Sequence, residues 1–169
     1  MKRALRTIDS VSEYVGRGAC VLVIVLVLVL ANETTLRYVF DQPTMWGYEL
    51  SYMVGASMAV LAWSYTHRHK GHVRVDVIYS HLSLRGRAII DVVCSVVFLG
   101  PLLYVLVRAG FNAVTFALRM NEVLAESSWL PPAWPIRTII FIGFVLFALQ
   151  CFAQFVRDVY ALVRNESYD

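Results

Sequence analysis

Charge is scarce in this sequence. Asp, Glu, Lys and Arg make up only 16% of its 169 residues, against about 25% in soluble domains. Cysteine is scarce too. Cys20, Cys94 and Cys151 are odd in number and each sits in an apolar run, which excludes a disulfide framework and leaves small hydrophobes. There is no internal repeat and no low-complexity segment, so neither a solenoid nor the repeat architecture of many stand-alone transporters is expected. The chain has no glycine-rich phosphate loop and no nucleophile–base pair, so it does not read as an enzyme. What it has in abundance is apolar surface: 59% of the residues and a mean hydropathy of +0.62. At 19.2 kDa this is one all-α integral membrane domain, residues 1–169.

Four long runs lie between charged or His positions: Arg17 to Glu33, Glu49 to His67, Asp91 to Arg108 and Arg137 to Arg157. A bilayer core of about 30 Å takes roughly 17–25 helical residues. With their flanks the runs give four predicted spans, about 14–36, 46–66, 88–110 and 135–157. The first is rich in Val and Ile, but it is far longer than a buried strand. Tyr14, Tyr38, Trp46, Tyr65, Trp134 and Tyr160 fall near the span ends, where an aromatic belt forms. A signal peptide cleaved after Val29-Leu30-Ala31 is the rival reading of the first run. Asp9 and Glu13 in the preceding segment argue against it.

Four spans place both termini on one side. Lys2, Arg3, Arg6, Arg17, Arg68, Lys70, Arg74, Arg85, Arg87, Arg157 and Arg164 share that side. Arg37, Arg108, Arg119 and Arg137 lie on the other. Positive residues accumulate in the cytoplasm, which predicts cytoplasmic termini, a cytoplasmic 67–87 loop and an outer 109–136 loop. Apolar residues at helical spacing after Gly110 predict that the third helix continues into that outer loop. Pro131, Pro132 and Pro135 break it, and Pro135 can open the fourth helix. Pro101 predicts a kink in the third span, and Gly100 beside it a close helix contact.

The polar residues offer few chemical sites. His67, His69, His72 and His81 cluster in the central loop. Without Cys they read as a basic loop on phospholipid head groups rather than a metal site. No span contains a His on this reading, which speaks against a haem-bearing anchor. Glu49 follows Trp46 at the start of the second span. There the helix dipole favours a carboxylate, so a structural or interface role is expected for Trp46 and Glu49. The alternative is a small proton-coupled homo-oligomeric exporter with Glu49 as carrier, which would need that residue near the midplane. Glu33 and Arg37 are spaced to pair on one helix face. Arg119, Glu122 and Glu126, with Trp129 and Trp134, give the outer loop the make-up of a protein contact.

Three strings carry a resemblance. The first is Arg37-Tyr38-Val39-Phe40 with Pro43, Trp46 and Glu49-Leu50-Ser51. The second is Gly71-His72-Val73-Arg74-Val75-Asp76, followed by Leu82-Ser83, Arg85 and Arg87. The third is Glu126-Ser127 with Leu130-Pro131 and Trp134. Together with the four-span layout they resemble the small membrane subunit, DctQ type, of TRAP (tripartite ATP-independent periplasmic) transporters. One departure is Arg137, where the family is expected to be more neutral. The resemblance implies a non-catalytic scaffold in a bacterial inner membrane. It implies a large elevator-type partner subunit that carries sodium ions and an organic acid anion, and a periplasmic solute-binding protein. No cofactor in this chain and no nucleic-acid partner are expected. On this reading His72, Arg74 and Asp76 hold the central loop against lipid or the large subunit, and Arg119, Glu122 and Glu126 receive the binding protein.

Overall fold

The computed structural model describes residues 2–69, 84–126 and 128–164. Five helical elements follow in order: α1 (Lys2–Tyr38), α2 (Gly47–Arg68), α3 (Leu84–Cys94), α4 (Gly100–Met120) and α5 (Trp134–Arg164). A π-helical segment, Ser95–Leu99, joins α3 to α4, so these three make one long third rod. No extended strand occurs among the described residues. The predicted spans fall on these rods, the second beginning one residue before α2.

Three rods, Arg3–Tyr38, Ile89–Met120 and Trp134–Val163, are long and apolar enough by composition to cross a membrane. The expectation from the sequence was four, and α2 is the one that falls short. The reason is its content. Glu49, Ser51, Gly55, Ser57, Ser64, Thr66, His67 and Arg68 all lie within it. They are tolerated because α2 packs against α1 on one side and α5 on the other. The third rod packs mainly on α5. The result is a row, α1–α2–α5–third rod, and not a closed bundle.

Consecutive rods run antiparallel. Glu33 of α1 meets Thr44 and Gly47 at the start of α2. Asp9 of α1 meets Arg68 at the end of α2 and Arg157 near the end of α5. The two ends of the row are named here by Glu33 and Asp9.

Most of the residues buried within the row are small or polar, with Leu5, Val60, Ile136 and Phe147 the large apolar exceptions among the described residues. Ser12, Gly16 and Ala19 of α1, Ser57 and Ser64 of α2, and Gly143, Gln150 and Ala153 of α5 are buried. Val21, Ile24, Val27 and Leu28 of α1 face outward. This inverts the soluble pattern. Lipid tails are as apolar as Leu, so helices associate where small side chains let backbones approach. A Cβ on Gly16 would stand 2.3 Å from the Cβ of Tyr65, and one on Gly143 would stand 2.4 Å from Val60 Cγ1. A Cβ on Gly110 would press on Phe141 and Phe144 at 3.1 and 3.2 Å. These glycines, and not Gly100, mark the close packing. Gly100 is exposed, and its Cβ would meet only the Ser95 carbonyl, at 3.4 Å.

The π segment answers Pro101. Proline has no N–H and its ring collides with the carbonyl four residues earlier. In the wider turn the Gly100 N–H bonds the carbonyl of Ser95, five residues back. The helix thus accommodates the ring through a π bulge, one of the known sources of helix distortion.

The glycine contacts generate a paired test. Gly16→Ala should destabilise the purified chain by about 1–3 kcal/mol, the usual cost of overpacking. Gly18→Ala meets nothing within 4 Å and should be neutral or slightly stabilising, since alanine is the better helix former. Thermal denaturation of both variants in one detergent checks this, with equal midpoints as the contrary result.

Candidate functional site

The polar side chains gather at the two ends of the row. At the Glu33 end the carboxylate is buried. Arg37, one turn on, donates Nη2 to Glu33 Oε1 at 2.6 Å and Nε to the same oxygen at 3.2 Å. The other oxygen accepts the Thr44 hydroxyl and, at 3.2 Å, the Thr44 backbone N–H. Thr44 Oγ1 in turn accepts the Gly47 N–H at 3.1 Å. An acid on α1 thereby organises the cap of α2, satisfying a donor that a helix N-terminus leaves open. Gly47 is required there, because a Cβ would fall 2.5 Å from Glu33 Oε2.

Glu49 lies in the first turn of α2 and is 1% exposed. Its place at the helix N-terminus suits a charged carboxylate. Trp46 flanks that N-terminus and is partly exposed. The exporter reading needed Glu49 at mid-helix, so the geometry does not favour it.

As expected from the sequence, the third helix continues into the outer 109–136 connection, and α4 runs to Met120. What remains is pinned on itself. Asn121 ends α4 in the left-handed region with φ 45°. Leu124 N–H bonds the Pro131 carbonyl and Ala133 N–H bonds the Glu122 carbonyl, both at 2.8 Å. Glu122 Oε1 accepts Arg137 Nη2, and Arg137 Nη1 reaches the Ala113 carbonyl at 3.4 Å. The arginine that stood out in the sequence thus has a partner. Glu122, expected from the sequence to contact a partner protein, is half-buried and closes a latch between the loop and α5. Glu126 is exposed and hydrogen-bonded to the Tyr48 side chain. Arg119 is exposed in the last turn of α4.

The Asp9 end holds the larger network. Asp9 accepts Arg157 Nη2 on one oxygen and Gln150 Nε2, at 3.0 Å, on the other. Gln150 Oε1 accepts the Ser12 hydroxyl at 2.9 Å, and both side chains are fully buried. Arg68 Nη1 bonds the Asp9 carbonyl at 2.7 Å and Glu13 Oε2 at 2.8 Å. Glu13 also pairs with Arg17 at 2.9 Å and stands 3.1 Å from His69 Nε2. Three rods are tied together here. Sequence reasoning missed this network. Asp9 and Glu13 were visible only as acids in a basic segment, and Gln150 only as a lone amide in an apolar run. Polar residues at helical spacing, Asp9, Ser12 and Glu13, were the available signal.

His67 lies in the last turn of α2, inside a helix and not in the central loop. Its ring meets Phe147 edge-on at 5.6 Å. His72, Arg74 and Asp76 lie outside the described residues. Among the described residues no group of three His, Cys, Asp or Glu side chains is placed to hold a metal ion.

These features define an all-helical membrane protein whose polar side chains bind its own rods together at both ends. The family model for the DctQ component of tripartite ATP-independent periplasmic transporters matches residues 25–161, and the chain belongs to that family. It is a small TRAP transporter component, and that family implies a large TRAP subunit and a periplasmic binding protein as associates. No curated protein and no solved structure matches the chain.

The Asp9–Arg157 pair provides a quantitative check. Hydrogen bonds to charged groups contribute about 1.5–3 kcal/mol. A double-mutant cycle of Asp9→Asn and Arg157→Gln, read by unfolding free energy in detergent, should give a coupling in that range. Additive losses would mean that the two groups do not act together.

Proposed function

We propose that this chain is the fixed scaffold of a sodium-coupled, binding-protein-dependent transporter for organic acid anions in a bacterial inner membrane. A large elevator-type subunit carries the solute and the ions. This chain widens the static part against which the mobile part slides, and it catalyses no reaction itself. The observation that carries this reading is the open row. Its outer rods present broad apolar faces, including Val21, Ile24 and Leu28 on α1 and Val97, Phe98 and Leu102 on the third rod. Its polar groups, in contrast, are engaged at the two ends.

The proposal includes four crossings. Glu13 and Glu33 are 20 residues apart on α1, roughly 30 Å of helix. The α2 rod runs alongside between them, from Gly47 near Glu33 to Arg68 at Glu13. A rod that matches α1 over a bilayer thickness crosses with it. The charge asymmetry then puts the Asp9 end, with both termini, in the cytoplasm.

The outer loop is proposed to receive the solute-binding protein. Arg119 and Glu126 are the exposed charges there, while Glu122 acts through the latch with Arg137 that sets the loop's shape. Trp46, exposed at the same end, is proposed to meet a subunit or lipid, whereas Glu49, expected from the sequence to share that interface, is buried within the chain and takes the structural part of its expected role. For the central loop, His72, Arg74 and Asp76 are proposed to anchor the chain at the cytoplasmic surface. Their alternation with Val73, Val75 and Val77 lets apolar side chains dip between charges.

Two experiments test this reading. Single cysteines at Ser83 and Ser127, in a background without native cysteines, should differ towards an impermeant periplasmic reagent. Position 127 should be labelled and position 83 protected, and labelling of 83 would contradict the orientation. In the assembled transporter, Arg119→Glu with Glu126→Lys should raise the binding-protein concentration for half-maximal uptake several-fold at low salt, where exposed charges are least screened. The maximal rate should be kept. An unchanged concentration dependence would remove the loop from the docking surface.

A further inference from the structure

The third rod carries exposed polar side chains away from the two ends of the row. Tyr104, Arg108 and Asn112 of α4 are spaced four residues apart and share one helix face. All three are exposed. Gly110 and Ala117, on the opposite face, are the buried residues of α4, and Gly110 is the one that packs on Phe141 and Phe144 of α5. The polar stripe thus points away from the chain. Neither Arg108 nor Asn112 has a side-chain hydrogen bond or an ion pair among the described residues. Depth makes this unusual. The sequence alone puts Arg108 at the outer end of the third span. In the structure a Cβ on Gly110, half a turn further on, would stand 3.5 Å from the Phe141 Cα. The third rod runs antiparallel to α5, so Arg108 is level with about Gly143. Gly143 in turn meets Val60, thirteen residues after Gly47 and eight before Arg68, the residues that meet Glu33 and Glu13. With the Glu13–Glu33 length as the bilayer thickness, Arg108 lies in hydrocarbon, roughly 12 Å of helix from the nearer edge. An arginine can snorkel, but a charged side chain at this depth is costly in lipid and belongs against protein.

We propose that the Tyr104–Arg108–Asn112 face of the third rod is where the large subunit docks, through a membrane helix that offers a carboxylate to Arg108. The identity of the partner rests on the scaffold reading, while the choice of this edge of the row rests on the third rod itself. Charge complementarity selects the occupant. A guanidinium has only donors to give, and a carboxylate takes them bidentately. Lipid tails offer no acceptor. A second copy of this chain offers none on the matching face either, because α4 contains no Asp or Glu. Ala109, beside Arg108 and also exposed, leaves room for a second helix backbone to come close. Asn112 can add a hydrogen bond one turn on. The opposite edge of the row is different in kind. The outward residues Val21, Ile24 and Leu28 of α1 lie in a run without charge between Arg17 and Glu33, and they are satisfied by lipid alone.

The test uses the assembled transporter in its membrane. A photoreactive benzoylphenylalanine replaces Tyr104 of the third rod in one preparation and Ile24 of α1 in another. Irradiation should cross-link position 104 to the large subunit and leave position 24 without that product. Cross-linking from position 24 to the same extent or more would overturn the choice of edge and leave the scaffold reading standing. Absence of the product from both positions, with no co-purification of the two subunits, would overturn both. A cross-link from 104 only to lipid, or only to a second copy of this chain, would overturn the proposal as well. Affinity between the two purified subunits in mild detergent gives the second readout. Arg108→Leu with Asn112→Leu should weaken it roughly tenfold or more, as expected for the loss of a charge-assisted hydrogen bond, and Arg108→Lys should weaken it less. The thermal midpoint of the isolated chain should not fall in the double variant, because both side chains point away from their own rods. An unchanged affinity, or a lowered midpoint of the isolated chain, would overturn the proposal.

Discussion

The structure depends on how α2 is held. It is the least apolar rod, and in a bilayer it gains nothing from hydrophobic burial against its neighbours. Protein on both sides and a carboxylate clamp at each end hold it in place. Glu33 fixes its first turn through Thr44, and Glu13 with the Asp9 carbonyl fixes its last through Arg68. Between the clamps, Gly16 and Gly143 bring α1 and α5 close enough to pack. With α2 anchored, α5 is positioned on its far side, and the third rod follows on α5.

Much of this was legible in the sequence, for a physical reason. Long uncharged runs have few fates, so Arg17 to Glu33 or Arg137 to Arg157 reads as helix whatever surrounds it. The Glu33–Arg37 pair, the opening of the last helix at Pro135 and the continuation of the third helix past Gly110 follow from spacing alone. The family was legible from short polar strings around Trp46 and Glu49. The packing was not. In a stripe where Val, Leu and Ile fill every face, hydrophobicity carries no phase, and only Ser12, Gly16 and Ala19 mark the inner side. Long-range partners such as Gln150 for Asp9, or Arg137 for Glu122, have no local signature. The latter pair changed the reading of the outer loop, because an acid expected to meet a partner protein is engaged by an arginine fifteen residues on. His67 was misplaced for a similar reason. A His beside Arg68 reads as loop until the hydrogen bonds of the last turn are seen.

The open row bears directly on function. In a bilayer any bundle shows apolar faces to lipid, but a row leaves its two end rods packed mainly on one neighbour, and in the scaffold proposed here those flanks are what a larger subunit would meet. Its own rigidity then matters more than chemistry. Small-residue packing and charge networks at both ends supply that rigidity. The same economy explains why so few polar side chains remain in the middle of the rods: they hold the ends, where clamping an antiparallel hairpin has the greatest leverage.

The central claim is that this chain stays still while transport proceeds. Spin labels on Val21 of α1 and Val105 of the third rod would span the row between its two edges, and pulsed electron paramagnetic resonance would report their separation. In the assembled transporter the distance distribution should keep the same centre and width with sodium and solute present or absent. A shift of several ångströms, or a second population that appears on adding solute, would show that the row moves with the cargo and would contradict the scaffold account.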